Sequence, residues 1–214
     1  NRPIKLEYIG TEVSLTSIIK KKFVSTNFEI SSSSLALGDV IKFARAAYKG
    51  PELFILDKVI KKGTVKFDIK INYDENGKIR DDYEVKGILK DAKIQFLNSN
   101  IFEEINFIFN FKKEEFEFQE IDFVINKINF FSDRVNIKQK KDTFFVDGIL
   151  ENNESFLSDD FLKILNISYK NFSFNNTLFN STNNFNFEIN KQFKLKNISF
   201  KSDITLDKLK YNSE

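Results

Sequence analysis

From Gly63 onward, apolar and polar side chains alternate with a period of two, and no other feature constrains this chain as much. Val65, Phe67, Ile69 and Ile71 hold one phase while Lys66, Asp68, Lys70 and Asn72 hold the other. Successive side chains of a β-strand point to opposite faces, so such a segment has one greasy side and one wet side. The pattern returns in Val85, then in Ile94 and Phe96. It continues in Ile105, Phe107, Phe109 and Phe111, where only Ile108 interrupts the polar set. After a charged break come Phe116 and Phe118, then Phe123, Ile125, Ile128 and Phe130. Register is expected to slip at the Lys112–Glu115 turn or near Gln119–Glu120.

The breaks between these runs are short and polar, as in "DENG" at 74–77. Parallel neighbours need long crossovers, so short breaks predict an antiparallel meander. Residues 134–140 and 143–150 extend it. Before Gly63 the elements are mixed. Strands are expected at 4–9 and 23–30, and a short helix at 14–22. A second helix is expected within 35–50, with Asp39 as N-cap and Gly50-Pro51 as its stop. Residues 52–60 fit either a helical turn or a buried strand. After 150, a short helix at 158–165 precedes further alternating runs. The expected fold is mainly β: a curved antiparallel meander sheet, or β-groove, with a few short helices. It divides into a mixed module (1–62), the meander (63–150), and a helix followed by more strands of the groove (151–214). A faint internal repeat aligns "YEVKGIL" (83–89) with "FFVDGIL" (144–150).

Composition removes most chemistries. The chain has no His and no Cys, which excludes a Ser-His-Asp triad, a thiol nucleophile and the usual zinc sites. Asp81–Asp82, Glu103–Glu104 and Asp159–Asp160 are the remaining acid–base candidates. Neighbours on a strand face opposite ways, and Asp159–Asp160 suits the first turn of a helix. Gly77 and Gly87 belong to a turn and a strand, and no phosphate-binding glycine pattern is present. No catalytic, metal or cofactor site is therefore expected. Net charge is +2 with both signs interspersed, against the one-sign stripe of a nucleic-acid binder. Lys20–Lys22, Lys61–Lys62 and Lys138, Lys140, Lys141 read as solvated turns and edges. No apolar run reaches the eighteen or so residues of a membrane-spanning helix. The chain begins with Asn and carries no signal-peptide pattern, so a piece of something longer is expected. Phe is abundant (26 residues), as an AT-rich genome would also produce, so the placement of Phe and not its number is informative.

Three arrangements hide such a stripe. Two sheets can cover each other in a sandwich. One sheet can curl into a gutter whose inner face takes lipid tails. A transmembrane barrel can turn the stripe outward, but aromatic girdles should then mark its strand ends, and Phe here sits mid-strand. The expected helices are too short to cap ten strands.

The segments "SLTSII", "SLALGDVIKFAR", "GTVKFDIKINYDENGKIRDDYEVKGILKDAKIQFL" and "FFVDGIL" resemble the AsmA-like family of Gram-negative bacteria, the group that includes TamB and YhdP. The resemblance covers about residues 4–150; residues 151–214 share only the continued alternation. It implies a non-enzymatic, periplasmic, repeating β-groove that conducts phospholipid toward the outer membrane. It also implies an inner-membrane anchor in an N-terminal part beyond this chain, no cofactor and no nucleic acid. The residues expected to meet acyl chains are Val65, Phe67, Ile69, Ile71, Val85, Ile94, Phe96, Phe107, Phe109, Phe111, Phe116, Phe118, Phe123 and Ile125. A structural or adhesive β-sandwich without lipid is the alternative.

Overall fold

The computed structural model describes residues 4–13, 19, 25–47, 51–74, 76–95, 101–157, 162, 172–173, 177–192, 194–207 and 210–211. Its elements begin with β1 (Leu6–Val13), β2 (Ser25–Ser32), β3 (Leu35–Ala36), α1 (Leu37–Ala47) and α2 (Pro51–Val59). Long strands follow: β4 (Ile60–Asn72), β5 (Glu84–Gln95), β6 (Ile101–Lys112), β7 (Glu115–Ile125), β8 (Ile128–Lys140) and β9 (Thr143–Phe156). The last are β10 (Phe172–Ser173), β11 (Leu178–Asn190), β12 (Leu195–Asp207) and β13 (Lys210–Tyr211).

One sheet holds nearly all of them, in the order β1-β2-β4-β5-β6-β7-β8-β9-β11-β12, with β3 added beside β4. Every neighbouring pair is antiparallel. β10 and β13 form a separate two-stranded pair. The sheet is open: among the described residues no pairing joins β1 to β12, and the other sheet has only two short strands, too few to cover it. That sets aside both the sandwich and the closed barrel. The sequence positions 62/63 and 150/151 fall inside β4 and β9, so the sheet runs without a break through all three expected stretches.

The hairpins are tight because their turn residues tolerate positive φ. β7 and β8 are joined by Asn126 (φ 49°) and Lys127 (φ 66°) alone, the two left-handed residues that match strand twist in a two-residue turn. Glu114 (φ 59°) and Lys141 (φ 55°) serve the β6–β7 and β8–β9 turns. In the longer β4–β5 connection, the Asp74 carboxylate accepts from the backbone N–H groups of Lys78 (2.9 Å) and Asn76 (2.8 Å). Of the two readings open for 52–60, the helix holds through Val59 and Ile60 already begins β4: α2 starts at Pro51, a position where a missing N–H costs nothing. Pro51 thus opens a helix where a stop was expected, and Gly50 lies outside the described residues. Asp39 also departs from expectation, since α1 begins two residues earlier and Asp39 sits in its first turn, where negative charge opposes the helix dipole favourably. The expected helices at 14–22 and 158–165 lie outside the described residues except for Ile19 and Leu162, both helical, the first exposed and the second buried.

A row of β-bulges crosses the sheet. Gly63 (φ 137°) on β4, Asp91 (φ 51°) on β5, Glu104 (φ 53°) on β6 and Glu120 (φ 49°) on β7 stand close together, each beside a register shift. Glu154 (φ 44°) on β9 and Asn197 (φ 49°) on β12 mark two more. A bulge adds one residue and bends its strand. It also moves every later side chain to the other face, which explains why Leu89 and Ala92, or Phe102 and Ile105, share a side despite odd spacing. Two asparagines hold the kinks at Asp91, Glu104 and Glu154. The Asn106 side chain accepts from the Asp91 N–H (2.9 Å) and donates to Glu104 O and Asp122 Oδ1 (both 2.8 Å). Asn180 Oδ1 accepts from the Glu154 N–H (2.7 Å) in the same manner.

Candidate functional site: an apolar groove

Residues paired across an antiparallel ladder project to the same face, so register alone traces the stripe. One rung reads Ile9, Ile30, Ile69, Val85, Phe111, Phe116, Ile137, Val146 and Phe187, apolar on all nine strands from β1 to β11. The next reads Phe67, Gly87, Phe109, Phe118, Val135, Gly148, Phe185 and Phe200. A third begins Leu35, Val65, Leu89 and Phe107. Beyond the bulges, Ile94 faces Phe102, which faces Ile125, and Phe123 faces Phe130.

Thus Val65, Phe67, Ile69, Ile71, Val85, Ile94, Phe107, Phe109, Phe111, Phe116, Phe118, Phe123 and Ile125 lie on one face; Phe96 is outside the described residues. The slip anticipated near Gln119–Glu120 exists as the Glu120 bulge. It keeps Phe123 and Ile125 on the stripe. The phenylalanine rings touch in sequence: Phe107–Phe118 at 5.3 Å, Phe111–Phe118 at 5.4 Å, Phe102–Phe123 and Phe123–Phe130 at 5.6 Å between centroids. Offset and edge contacts of this kind contribute about 0.5–1.5 kcal/mol each beyond area burial.

Gly87 and Gly148 let two of these rings lie down. A Cβ on Gly87 would stand 2.4 Å from Phe109 Cζ, and one on Gly148 would stand 2.8 Å from Phe185 Cζ. The internal repeat is therefore structural: both glycines occupy the same rung, each beneath a ring from a neighbouring strand.

The stripe is covered unevenly. At the β4–β6 end, Leu37 and Val40 of α1 pack on a core of Leu35, Val65, Leu89, Ala92, Ile105 and Phe109. α1 and α2 are tied to each other by an Arg45–Asp57 ion pair, with the Arg45 guanidinium over the Phe54 ring at 5.3 Å. Toward β12 nothing described covers it. Ile198 and Phe200 are each 63% exposed and Ile204 is 58% exposed. Phe200 and Ile204 pair with Phe185 and Ser181, which places them on the inner face, and Ile198 stands two residues before Phe200. Here the sheet curls inward around a cavity of about 430 Å³. β6 and β12 stand five neighbours apart, roughly 24 Å in a flat sheet. Phe102 and Ile204 nevertheless line the same cavity, together with Phe123, Ile125, Phe130, Leu150, Phe179, Ser181, Asn183, Phe185, Phe200 and Ser202. None of these is charged.

Most of that wall lies beyond the sequence-derived set, which stops at Ile125. The alternation in "NNFNFEI" (183–189) carried the signal for Phe185; Leu150 continues the phase of Val146 and Gly148, and Phe179 that of Phe185, whereas Phe130 shares a face with Val135 only through the irregularity in β8 between Phe131 and Val135. At the rim, Asn152 is fully buried and satisfied: its amide donates to the Phe179 carbonyl (3.0 Å) and accepts from the Ser155 hydroxyl (2.6 Å).

The opposite face is ionic. Lys70 meets Glu29 at 3.0 Å, Lys86 meets Glu84 at 2.7 Å, Lys93 meets Glu103 at 2.6 Å and Arg134 meets Glu117 at 2.9 Å. The hydrogen bond from Lys70 holds the Glu29 carboxyl below its usual range, and Glu29 in turn raises Lys70. Lys93 does the same to Glu103, and the N–H groups of Lys78 and Asn76 lower Asp74. Of the acidic pairs, Asp81 binds Lys113, Asp82 binds Arg80 and Glu104 is a bulge residue; Asp159–Asp160 lies outside the described residues. No protein-family model, no curated protein and no solved structure matches this chain.

Proposed function

We propose that this chain is a segment of a bridge-like lipid-transfer protein of the AsmA-like type, whose apolar groove takes phospholipid acyl chains and passes them between the inner and outer membranes. The observation that carries this reading is an apolar rung unbroken from β1 to β11, on the same face as a cavity that reaches β12 and has an uncharged wall. A sheet that needed only a core would end its greasy face where its cover ends. Here the lining continues past the helices. Each methylene removed from water contributes about 0.8 kcal/mol, so an acyl chain is held without directional contacts and can slide along a rung. Transfer of this kind needs no nucleophile, metal or cofactor. The periplasm is the proposed location.

The test must change the groove and spare the fold. Phe109 is only 8% exposed and belongs to the covered core, so a charge there would unfold the domain. Phe200 lines the cavity and is 63% exposed, so a carboxylate at that position stays hydrated until a chain arrives. Phe200→Asp is expected to retain the wild-type melting temperature within a few degrees and to lose co-purifying phospholipid, measured by mass spectrometry of organic extracts. Ile149→Asp, on the exposed outer face of β9 opposite Asn184, is the control and should retain lipid. Equal lipid content in Phe200→Asp and wild type, or none in either, counts against the groove.

A further inference from the structure

The inner face of β11 is not uniformly apolar: between Phe179 and Phe185 it presents Ser181 and Asn183, and β12 presents Ser202 opposite Asn183. The three are wired to one another. Asn183 donates to Ser181 Oγ (3.0 Å) and to the Leu150 carbonyl (3.0 Å), which uses both amide hydrogens. Its oxygen accepts from the Ser202 hydroxyl (2.6 Å). Ser181 thus receives a hydrogen bond, while its own O–H meets no acceptor among the described residues. Ser181 is 7% exposed and lines the cavity. A buried hydroxyl with an idle proton is costly in an apolar wall unless something supplies an acceptor. No cationic side chain lines the cavity, so an anionic group brought here would be uncompensated. The acceptor that fits is therefore uncharged.

Resting on the groove reading, we propose that Ser181, held by Asn183 and Ser202, donates its hydroxyl to the ester carbonyl of a diacyl glycerolipid. The trio would then be a docking point for the glycerol-ester level of the lipid within an otherwise unselective groove. An ester carbonyl accepts and does not donate, carries no charge, and stands at the root of an acyl chain that the surrounding Phe and Ile side chains would cover.

The probes are a diester phosphatidylglycerol and its diether analogue with the same chains, which differ only in the carbonyls, plus oleate as a free acid. Each is titrated into the purified chain by displacement of a fluorescent fatty-acid reporter. One hydrogen bond is expected to favour diester over diether by roughly fivefold. Ser181→Ala should erase that preference. Ser202→Ala, which releases Asn183, should reduce it in part. Equal binding of diester and diether by wild type overturns the docking point but leaves the groove standing. Oleate bound as tightly as diester overturns the choice of ester over carboxylate. Failure of all three probes to bind overturns both readings. If Ser181→Ala does not fold, the wild-type comparison still decides.

Discussion

At the scale of single residues, the two rung glycines show how little room the stripe leaves. Gly87→Ala would place a methyl 2.4 Å from both Phe109 Cζ and the Lys66 carbonyl. Overpacking of this kind costs about 1–3 kcal/mol, and a urea melt should show it as a lower midpoint with unchanged slope. The double variant Gly87→Ala/Phe109→Leu should lose less than the sum of the two single changes, because the clash and the cavity cancel. Charged residues on the wet face set a separate, pH-dependent contribution. Glu29, Glu103 and Asp74 titrate lower in the folded chain than in the unfolded one. Their contribution is therefore complete above the unfolded carboxylate range near pH ~4 and declines as pH falls through the folded values. Lys70 and Lys113 are raised, so their contribution is complete below the unfolded lysine range near pH ~10 and declines as pH rises through the folded values. Melting temperature should be flat across the neutral range and fall on both flanks, and Glu29→Gln should remove part of the acid flank.

At the scale of elements, the alternation fixed strands β4 to β9, their antiparallel order and the side they turn inward, all legible before any coordinate. The bulges were only half legible. A bulge shifts phase by one residue and leaves no composition mark except a polar residue able to sit at positive φ. Glu120 showed itself because Phe118 and Phe123 fall out of step, and Asp91 between Leu89 and Ala92 could have been found by the same sign. What sequence alone did not disclose is the pairing of the Asp91 and Glu154 kinks with distant asparagines, since Asn106 and Asn180 stand 15 and 26 residues from the amides they serve. The polar trio of the cavity was missed for a related reason: Ser and Asn inside an alternating run look like the wet face until register assigns them. Asn106→Ala, which loses three hydrogen bonds across two bulges, should destabilise by about 2–3 kcal/mol, and Asn180→Ala by about 1 kcal/mol. Hydrogen exchange would read both locally, as faster exchange of the Asp91 and Glu154 amides respectively.

At the scale of the whole molecule, cover and openness are distributed along the sheet. α1 and β3 close one region over Val65, Leu89 and Phe109, and a second buried cluster gathers Ile128, Phe130 and Phe179, while Phe200 and Ile204 of β12 stay exposed. Stability is therefore expected to be graded, with the slowest-exchanging amides in β4–β6 and earlier opening toward β12. An acyl ligand should reverse that gradient, protecting β11 and β12 amides in proportion to occupancy and leaving β4–β6 nearly unchanged. The glycine rung has one more outcome, and it concerns descent. Phe109 can lie flat only because position 87 has no side chain, and Phe185 only because position 148 has none. Neither member of such a couple can change first without a penalty, except by shrinking the ring. Across relatives, each couple should be inherited together or lost together, and lineages that fill the glycine should already carry a smaller residue over it.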